Sequence, residues 1–421
     1  MGPRRSADLV DHISRRELLA TAAKCVVGGV GMLAASGEPL QSLLGGAEVW
    51  AAASRLDTIL KSAPVARYWT SVALAGSDCT ACHKGATDIA GKRAAHDPAL
   101  VKCLLCAQGC AIKPGQRGKC RARMNVKGEL RSLVYGRPLA VHIDPIEKKP
   151  FYHFLPGSAA LSLGTSGCPL RCKFCQNWEL SQASPEDHDT SFTTAAGLAG
   201  SASANRAPVI AFTYNEATVF AEYLLDVARE GRKQRLRSVL VSCGFMNEAP
   251  LADMCAALDA IKIDLKGYSE EFYRTVCGAE LQPVLRSIKQ VHKSGVHLEI
   301  VNLVVPTLND SEKQLEQLCQ WIAGELGPDV PVHFTRFHPD YQLLNLPPTP
   351  IATLERARDI AGAKGIHYAY VGNVPGHPGN HTYCPSCTKP VIKRNDFFVT
   401  EMHLKAGRCQ YCGQPIAGVW T

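Results

Sequence analysis

Between residues 159 and 371, short apolar runs alternate with stretches of helical periodicity, and few arrangements of chain can satisfy both. The runs predict strands at 159–163, 208–213, 238–243, 260–264, 297–305, 332–338 and 366–371. Phe220, Tyr223, Leu224 and Val227 recur at i, i+3, i+4, i+7 and predict one intervening helix. Leu315, Leu318, Cys319 and Ile322 predict another, opened by Ser311 and Gln314 in capping-box positions and stopped near Gly327. A third is predicted to start at Thr349-Pro350, with Pro in the first helical position, and to end near Gly365. Such alternation gives a parallel sheet, curved or closed into a barrel, with functional residues at the strand C-termini. Apolar residues make up 46% of the 421, enough for a large core. The net charge of +8 is spread along the chain, so nucleic-acid binding is not indicated.

Cysteine is the outlier, with eighteen in the chain. Thirteen fall in short-spaced groups: 79/82, 103/106/110/120, 168/172/175, 384/387 and 409/412. Cys25 stands near the N-terminus, and Cys243, Cys255, Cys277 and Cys319 are singletons expected to be buried small hydrophobes. Clustered CxxC pairs in a long chain point to metal sites rather than a disulfide framework.

The first strand of the repeat, 159–164, runs into Gly167-Cys168-Pro169-Leu170-Arg171-Cys172-Lys173-Phe174-Cys175. Three thiolates at x3 then x2 spacing can wrap three irons of a [4Fe–4S] cube, whereas an electron-transfer cluster takes four. The open iron can be chelated by the amino and carboxylate groups of a small molecule. A structural zinc would want a fourth ligand, and none is nearby in sequence. CxxxCxΦC with an aromatic before the last Cys, here Phe174, resembles the radical S-adenosylmethionine (SAM) superfamily motif. That resemblance implies reductive cleavage of SAM to methionine and a 5′-deoxyadenosyl radical, which abstracts hydrogen from a substrate.

Polar residues follow the later strands. Thr213-Tyr214-Asn215-Glu216 stands where the family carries a GGE-like motif that hydrogen-bonds the SAM amino group. The glycines are absent, but Glu216 offers a charge-assisted partner; Asn215 could supply a cap for the next helix, and both readings can hold. Asp264 and Lys266 follow the fourth strand, Asn302 lies in the fifth and His338 follows the sixth, all on the rim expected to meet SAM or substrate. The blocks GTSGCPLRCKFCQNWELSQ, AVHIDPIEKKPFYHFLPG, IDLKGYSEEFYR, RFHPDYQL and VGNVPGHPGNHTYCPSC resemble the radical SAM member of the AmmeMemoRadiSam system, which is related to pyruvate formate-lyase activating enzymes. The resemblance runs from about Cys103 to the end and covers residues 1–100 poorly. It implies a protein or peptide substrate, the system's partner proteins, and an electron donor such as flavodoxin or ferredoxin.

Two further groups read as metal ligands. Cys384-x2-Cys387 and Cys409-x2-Cys412 form the knuckles of a zinc-ribbon-like module. Cys103, Cys106, Cys110 and Cys120 offer four ligands to zinc or to a second Fe–S cluster, and spacing alone does not choose. Cys79-x2-Cys82-His83 matches a c-type haem attachment motif, with a loop metal site or free thiols as alternatives. Haem attachment requires export. Ser14-Arg15-Arg16-Glu17-Leu18-Leu19, followed by the apolar stretch to Ala35 and by Ala51-Ala52-Ala53, looks like a twin-arginine leader. It suggests a periplasmic or membrane-associated protein; an amphipathic helix in a cytoplasmic one is the alternative.

The expected organisation is a leader at 1–53, a poorly patterned segment with CxxCH at 54–100, and a cysteine-rich module at 101–155. A partial (β/α)6-type radical SAM barrel follows at 156–375, and the zinc-ribbon-like module at 376–421. Three functions compete with hydrogen abstraction from a protein or peptide: glycyl-radical-enzyme activation, non-catalytic haem/Fe–S electron transfer, and zinc-ribbon binding. The electron-transfer reading predicts four protein ligands on every cluster, and the zinc-ribbon reading predicts a basic or aromatic patch near 384–412.

Overall fold

The computed structural model describes residues 40–71 and 99–421. The twin-arginine-like stretch and the haem-type motif at Cys79, Cys82 and His83 lie outside those residues. The chain divides into two compact units, Met1–Arg55 and Leu56–Thr421. A long helix, α1 (Leu40–Ser62), spans the division. Among the described residues no helix is long and apolar enough to cross a membrane.

The larger unit opens with β1 (Trp69–Ser71), β2 (Val101–Cys103) and β3 (Ala111–Ile112) in an antiparallel sheet. A hairpin of β4 (Arg123–Val126) and β5 (Glu129–Ser132) follows. The central sheet then runs from β6 (Ala140–Pro145) through β7 (Ala159–Gly164), β8 (Val209–Phe212), β9 (Arg237–Ser242), β10 (Ala260–Asp264), β11 (His297–Val304) and β12 (Val332–Arg336) to β13 (Ala369–Gly372). These eight strands neighbour one another in sequence order. The last seven are parallel, and β6 is added antiparallel on the edge of β7.

Helices join the parallel strands in order: α2 (Ala195–Ala204), α3 (Ala221–Lys233), α4 (Glu248–Ala257), α5 (Leu281–Ser294), α6 (Glu312–Leu326) and α7 (Ile351–Ala363). α3 turns an apolar stripe inward, burying Tyr223, Leu224, Val227 and Ala228. With helices on one face and packed side chains on the other, Val209–Phe212 are buried at every position. Ser311 caps α6 as its sequence suggests, accepting from the Gln314 amide. Pro350 is instead the cap of α7, because its ψ of 140° is extended and helical geometry starts only at Ile351.

The sheet curls. Thr213, Ser242, Asp264, Leu303, Thr335 and Gly372, at the C-terminal ends of six strands, line one cavity together with Lys149 from the turn after β6. Beyond the barrel, β14 (Thr382–Tyr383), β15 (Pro390–Asn395) and β16 (Phe398–Met402) form a small antiparallel sheet, and β17 (Leu404–Lys405) pairs with β18 (Arg408–Cys409).

Buried charge ties this last module to the barrel. Arg394 on β15 donates to the Tyr152 carbonyl (2.8 Å), to Thr382 Oγ1 (2.9 Å) and to the Asn380 carbonyl (3.2 Å). Its Nε lies 3.6 Å from the fully buried Glu147 carboxylate, and its guanidinium sits 4.0 Å over the Tyr152 ring. Glu299 on β11 accepts from the Tyr152 and His153 amides and from His297 and His333. His153 is itself buried, between the Ala417 carbonyl and the Tyr370 hydroxyl.

Two outcomes follow. Arg394→Leu strands Glu147 as an uncompensated buried charge and should lower stability by about 3–5 kcal/mol, read as a shift of the urea midpoint. Burial pushes the His153 pKa down to about 3, whereas an unfolded histidine titrates near ~6.5. The unfolded chain therefore binds the extra proton, and stability falls as pH drops from about 6.5 towards 3. A His153→Gln chain should show a shallower fall across that window in pH-dependent unfolding.

Candidate functional site

The loop after β7 is shaped by close backbone approach. Gly167 has φ +93°, and a Cβ there would lie 2.2 Å from the Cys120 carbonyl oxygen. The loop is pinned on its other side by a single π-helical turn, Tyr273–Cys277: Arg171 N donates to the Cys277 carbonyl (2.8 Å) and Lys173 N to the Val276 carbonyl (3.0 Å). Arg171 also donates to the Cys168 and Leu170 carbonyls and clamps the loop on itself.

So held, Cys168, Cys172, Phe174 and Cys175 line a cavity of about 380 Å³ at the C-terminal edge of the sheet. Burial pushes the Cys168 and Cys175 thiols up. A hydrogen bond with Cys277, and then burial, pushes Cys172 up. Any metal taken here must displace protons.

Asn215, Glu216, Asp264 and Lys266 line the same cavity. Asn215 does not cap a helix; its amide spans the cysteine loop, accepting from Thr165 N (3.2 Å) and donating to the Gly167 carbonyl (2.7 Å). Glu216 is the cap of the turn Ala217–Phe220. Its Oε1 takes Thr218 N (3.2 Å), Ser242 Oγ (2.8 Å) and the Thr218 hydroxyl, and Oε2 takes Cys243 N (2.6 Å). A carboxylate has about four lone-pair sites, so the acceptor capacity left over is on Oε2. Asp264 sits between Lys262 Nζ (2.5 Å) and Lys266 Nζ (3.4 Å). Burial works against its charge, but the two ammonium groups hold its pKa below the usual carboxylate value. Burial likewise works against the Lys266 cation, which Asp264 and the nearby thiols hold well above the ordinary lysine value. Its Nζ lies 5.6 Å over the Phe174 ring.

Two of the expected site residues, Asn302 and His338, do not line the cavity. Asn302 is buried but does not line the cavity; its amide donates to the Leu265 carbonyl (2.8 Å), while its neighbours Val301 and Leu303 line the cavity. Strand alternation puts successive side chains on opposite faces, which explains the exchange. His338 is exposed and outside the cavity, with Nε2 2.8 Å from the Gln176 amide nitrogen on the rim.

Other lining residues lie outside the sequence expectations. Lys149 pairs with Asp144 at 2.6 Å, and Tyr214 Oη donates to the same carboxylate. Lys262 and His333 reach the cavity from mid-strand. An ionisable residue inside an apolar run was the available signal. Cys243 and Cys277 are buried, yet Cys243 lines the cavity and Cys277 lies against Cys172.

At the C-terminal end, Cys384 Sγ lies 3.6 Å from Cys412 Sγ, and Cys387 Sγ 3.7 Å from Cys409 Sγ. All four sulfurs lie within 4.8 Å of one another, and among the described residues no other set of three or more Cys, His, Asp or Glu donors does so. This is the spacing of ligands around one tetrahedral ion, about 3.8 Å for ~2.3 Å metal–sulfur bonds. The three thiols of the 168–175 loop do not all lie within 4.8 Å of one another.

A family model for the radical SAM superfamily matches residues 162–322. The uncharacterized protein MJ0808 of Methanocaldococcus jannaschii is 40% identical over 322 residues, covering 76% of this chain and 96% of that protein. The chain belongs to the radical SAM superfamily. The pyruvate formate-lyase-activating enzyme of Clostridium pasteurianum is 21% identical over 165 residues, 37% of this chain and 66% of that enzyme. A domain of a pyruvate formate-lyase-activating enzyme from Bacteroides vulgatus superposes with a TM-score of 0.35 at 16% identity, covering 39% of this chain and 98% of that one. Membership implies an enzyme that uses a [4Fe–4S] cluster and SAM, and the cavity beside Cys168, Cys172 and Cys175 has the size of a small-molecule site.

Gly167→Ala should destabilise the radical SAM loop, by about 1–3 kcal/mol from left-handed strain and more from the collision with Cys120. The change is read as a lower melting temperature of the full-length protein.

Proposed function

We propose that Cys168, Cys172 and Cys175 hold the [4Fe–4S] cluster of an enzyme that cleaves SAM reductively and abstracts hydrogen from a protein or peptide. The observation that carries this reading is the convergence of three loop thiols, Glu216 and the Asp264–Lys266 pair on one cavity. When bound, the cluster supplies the electron that splits SAM into methionine and the 5′-deoxyadenosyl radical. That electron comes from a flavodoxin- or ferredoxin-type donor.

The residues divide the binding work. Glu216 Oε2 is the acceptor for the SAM ammonium group, a charge-assisted contact. Asn215 keeps the thiols in place by bridging Thr165 and Gly167. Phe174 and Lys266 form one wall, and the Asp264 carboxylate fixes the Lys266 ammonium. Lys149, Tyr214, Lys262 and His333 continue the polar lining and are the groups left for substrate. Cys384, Cys387, Cys409 and Cys412 hold zinc, on their single-ion spacing.

The partner proteins of the AmmeMemoRadiSam system are the proposed substrates or accessories. Glycyl-radical-enzyme activation in the narrow sense is the second reading, supported by the sequence similarity to the Clostridium activating enzyme. A neighbouring gene for a glycyl radical enzyme, and a glycyl radical signal on mixing its product with this protein, would favour it.

Anaerobic reconstitution followed by EPR with and without SAM tests the reading. A signal that shifts on adding SAM, with 5′-deoxyadenosine formed under dithionite, is the expected result; a cluster indifferent to SAM sinks it. Cys172→Ala should abolish 5′-deoxyadenosine formation. Glu216→Gln should weaken SAM binding roughly 10- to 100-fold, the worth of one charged hydrogen bond, measured as the KM for SAM.

A further inference from the structure

The N-terminal module carries four thiols that the cavity described above does not use. Cys103 ends β2, Cys106 and Cys110 lie in the connection to β3, and Cys120 precedes β4. All four are free, and all four line a second, small cavity. Its remaining wall is mostly apolar, with Leu105, Ile112, Pro169 and Val219.

Three observations say what fits there. The first is spacing. These sulfurs surround a common space, yet they do not meet the 4.8 Å separation that the C-terminal set satisfies. A mononuclear zinc draws its thiolates to about 3.8 Å from one another. A four-iron cube holds them farther apart, because each sulfur sits on a different iron. The 168–175 thiols of the same molecule likewise do not all meet that separation.

The second is an unpaired cation. Arg123 is fully buried and lines this cavity. Its Nη2 donates to both oxygens of Glu222 at 2.7 Å, but Nε and Nη1 have no partner among the described residues. Buried guanidinium N–H groups left without acceptors are costly. A cluster with four thiolate ligands is anionic, and its sulfur atoms are the missing acceptors.

The third is the amide environment. Lys119 N donates to Cys110 Sγ at 3.4 Å. Hydrogen bonds to cluster sulfur stabilise the anion and set its potential.

We propose that Cys103, Cys106, Cys110 and Cys120 hold a second [4Fe–4S] cluster, closed by four protein ligands and therefore unable to bind SAM. It sits against the SAM-binding loop. Pro169, next to Cys168, forms part of its wall, Gln108 Nε2 donates to the Pro169 carbonyl (3.0 Å), and Arg171 Nη2 donates to the Lys119 carbonyl (2.5 Å).

The test uses the full-length chain with Cys168, Cys172 and Cys175 all changed to Ala, reconstituted anaerobically with iron and sulfide. That protein lacks the catalytic cluster, so its iron and sulfide content reports on this site whether or not the SAM-cleaving reading holds. About four iron and four sulfide per chain, with a reduced EPR signal unmoved by SAM, is expected. Zinc without iron, or no metal at these cysteines, overturns the proposal. If the triple variant does not fold, the unaltered protein answers the same question. About eight iron and one zinc support the second cluster, and about four iron with two zinc overturn it.

Discussion

Parallel pairing of seven consecutive strands is the constraint from which the rest follows. Strands that all point one way put all their C-terminal ends on one rim, and connections long enough to return carry helices that cover the outer face. The rim then collects groups far apart in sequence: thiols after β7, a carboxylate after β8, an ion pair at β10. Antiparallel β6 breaks the repeat and adds a different chemistry, since its turn delivers Lys148 and Lys149 to the cavity. Lys149 pairs with Asp144, which also anchors Tyr214.

Burying so many ionisable groups is tolerable only because nearly all are matched. Glu299 takes two amides and two imidazoles, Arg123 meets Glu222, and Asp264 lies between two lysines. Such networks contribute geometry more than net stability, because desolvation offsets most of the attraction. The unmatched atoms then become informative. Arg123 is the clearest, a buried guanidinium with unpartnered Nε and Nη1 lining the same cavity as four thiols.

Much of the fold was legible because strands buried on both faces read as continuous apolar runs. The runs at 208–213 and 260–264 match β8 and β10 closely. The radical SAM loop was legible because its three thiols are local in sequence. Other features were not. Asn302 was placed on the rim by its position near a strand end, but the pleat turns it to the Leu265 carbonyl. Cys277 read as a buried hydrophobe because nothing local announces that a π-helical turn presses it against Cys172. Lys262 and His333 were hidden in strand interiors, and their function depends on which way the sheet curls. Cysteine spacing along the chain left metal identity open, whereas in space the four C-terminal sulfurs stand at the separations one tetrahedral ion requires.

Phe397, in the turn between β15 and β16, also lines the main cavity. The C-terminal module is therefore part of the cavity's wall. A shortened descendant ending at the barrel would keep the SAM loop but open its chamber to water.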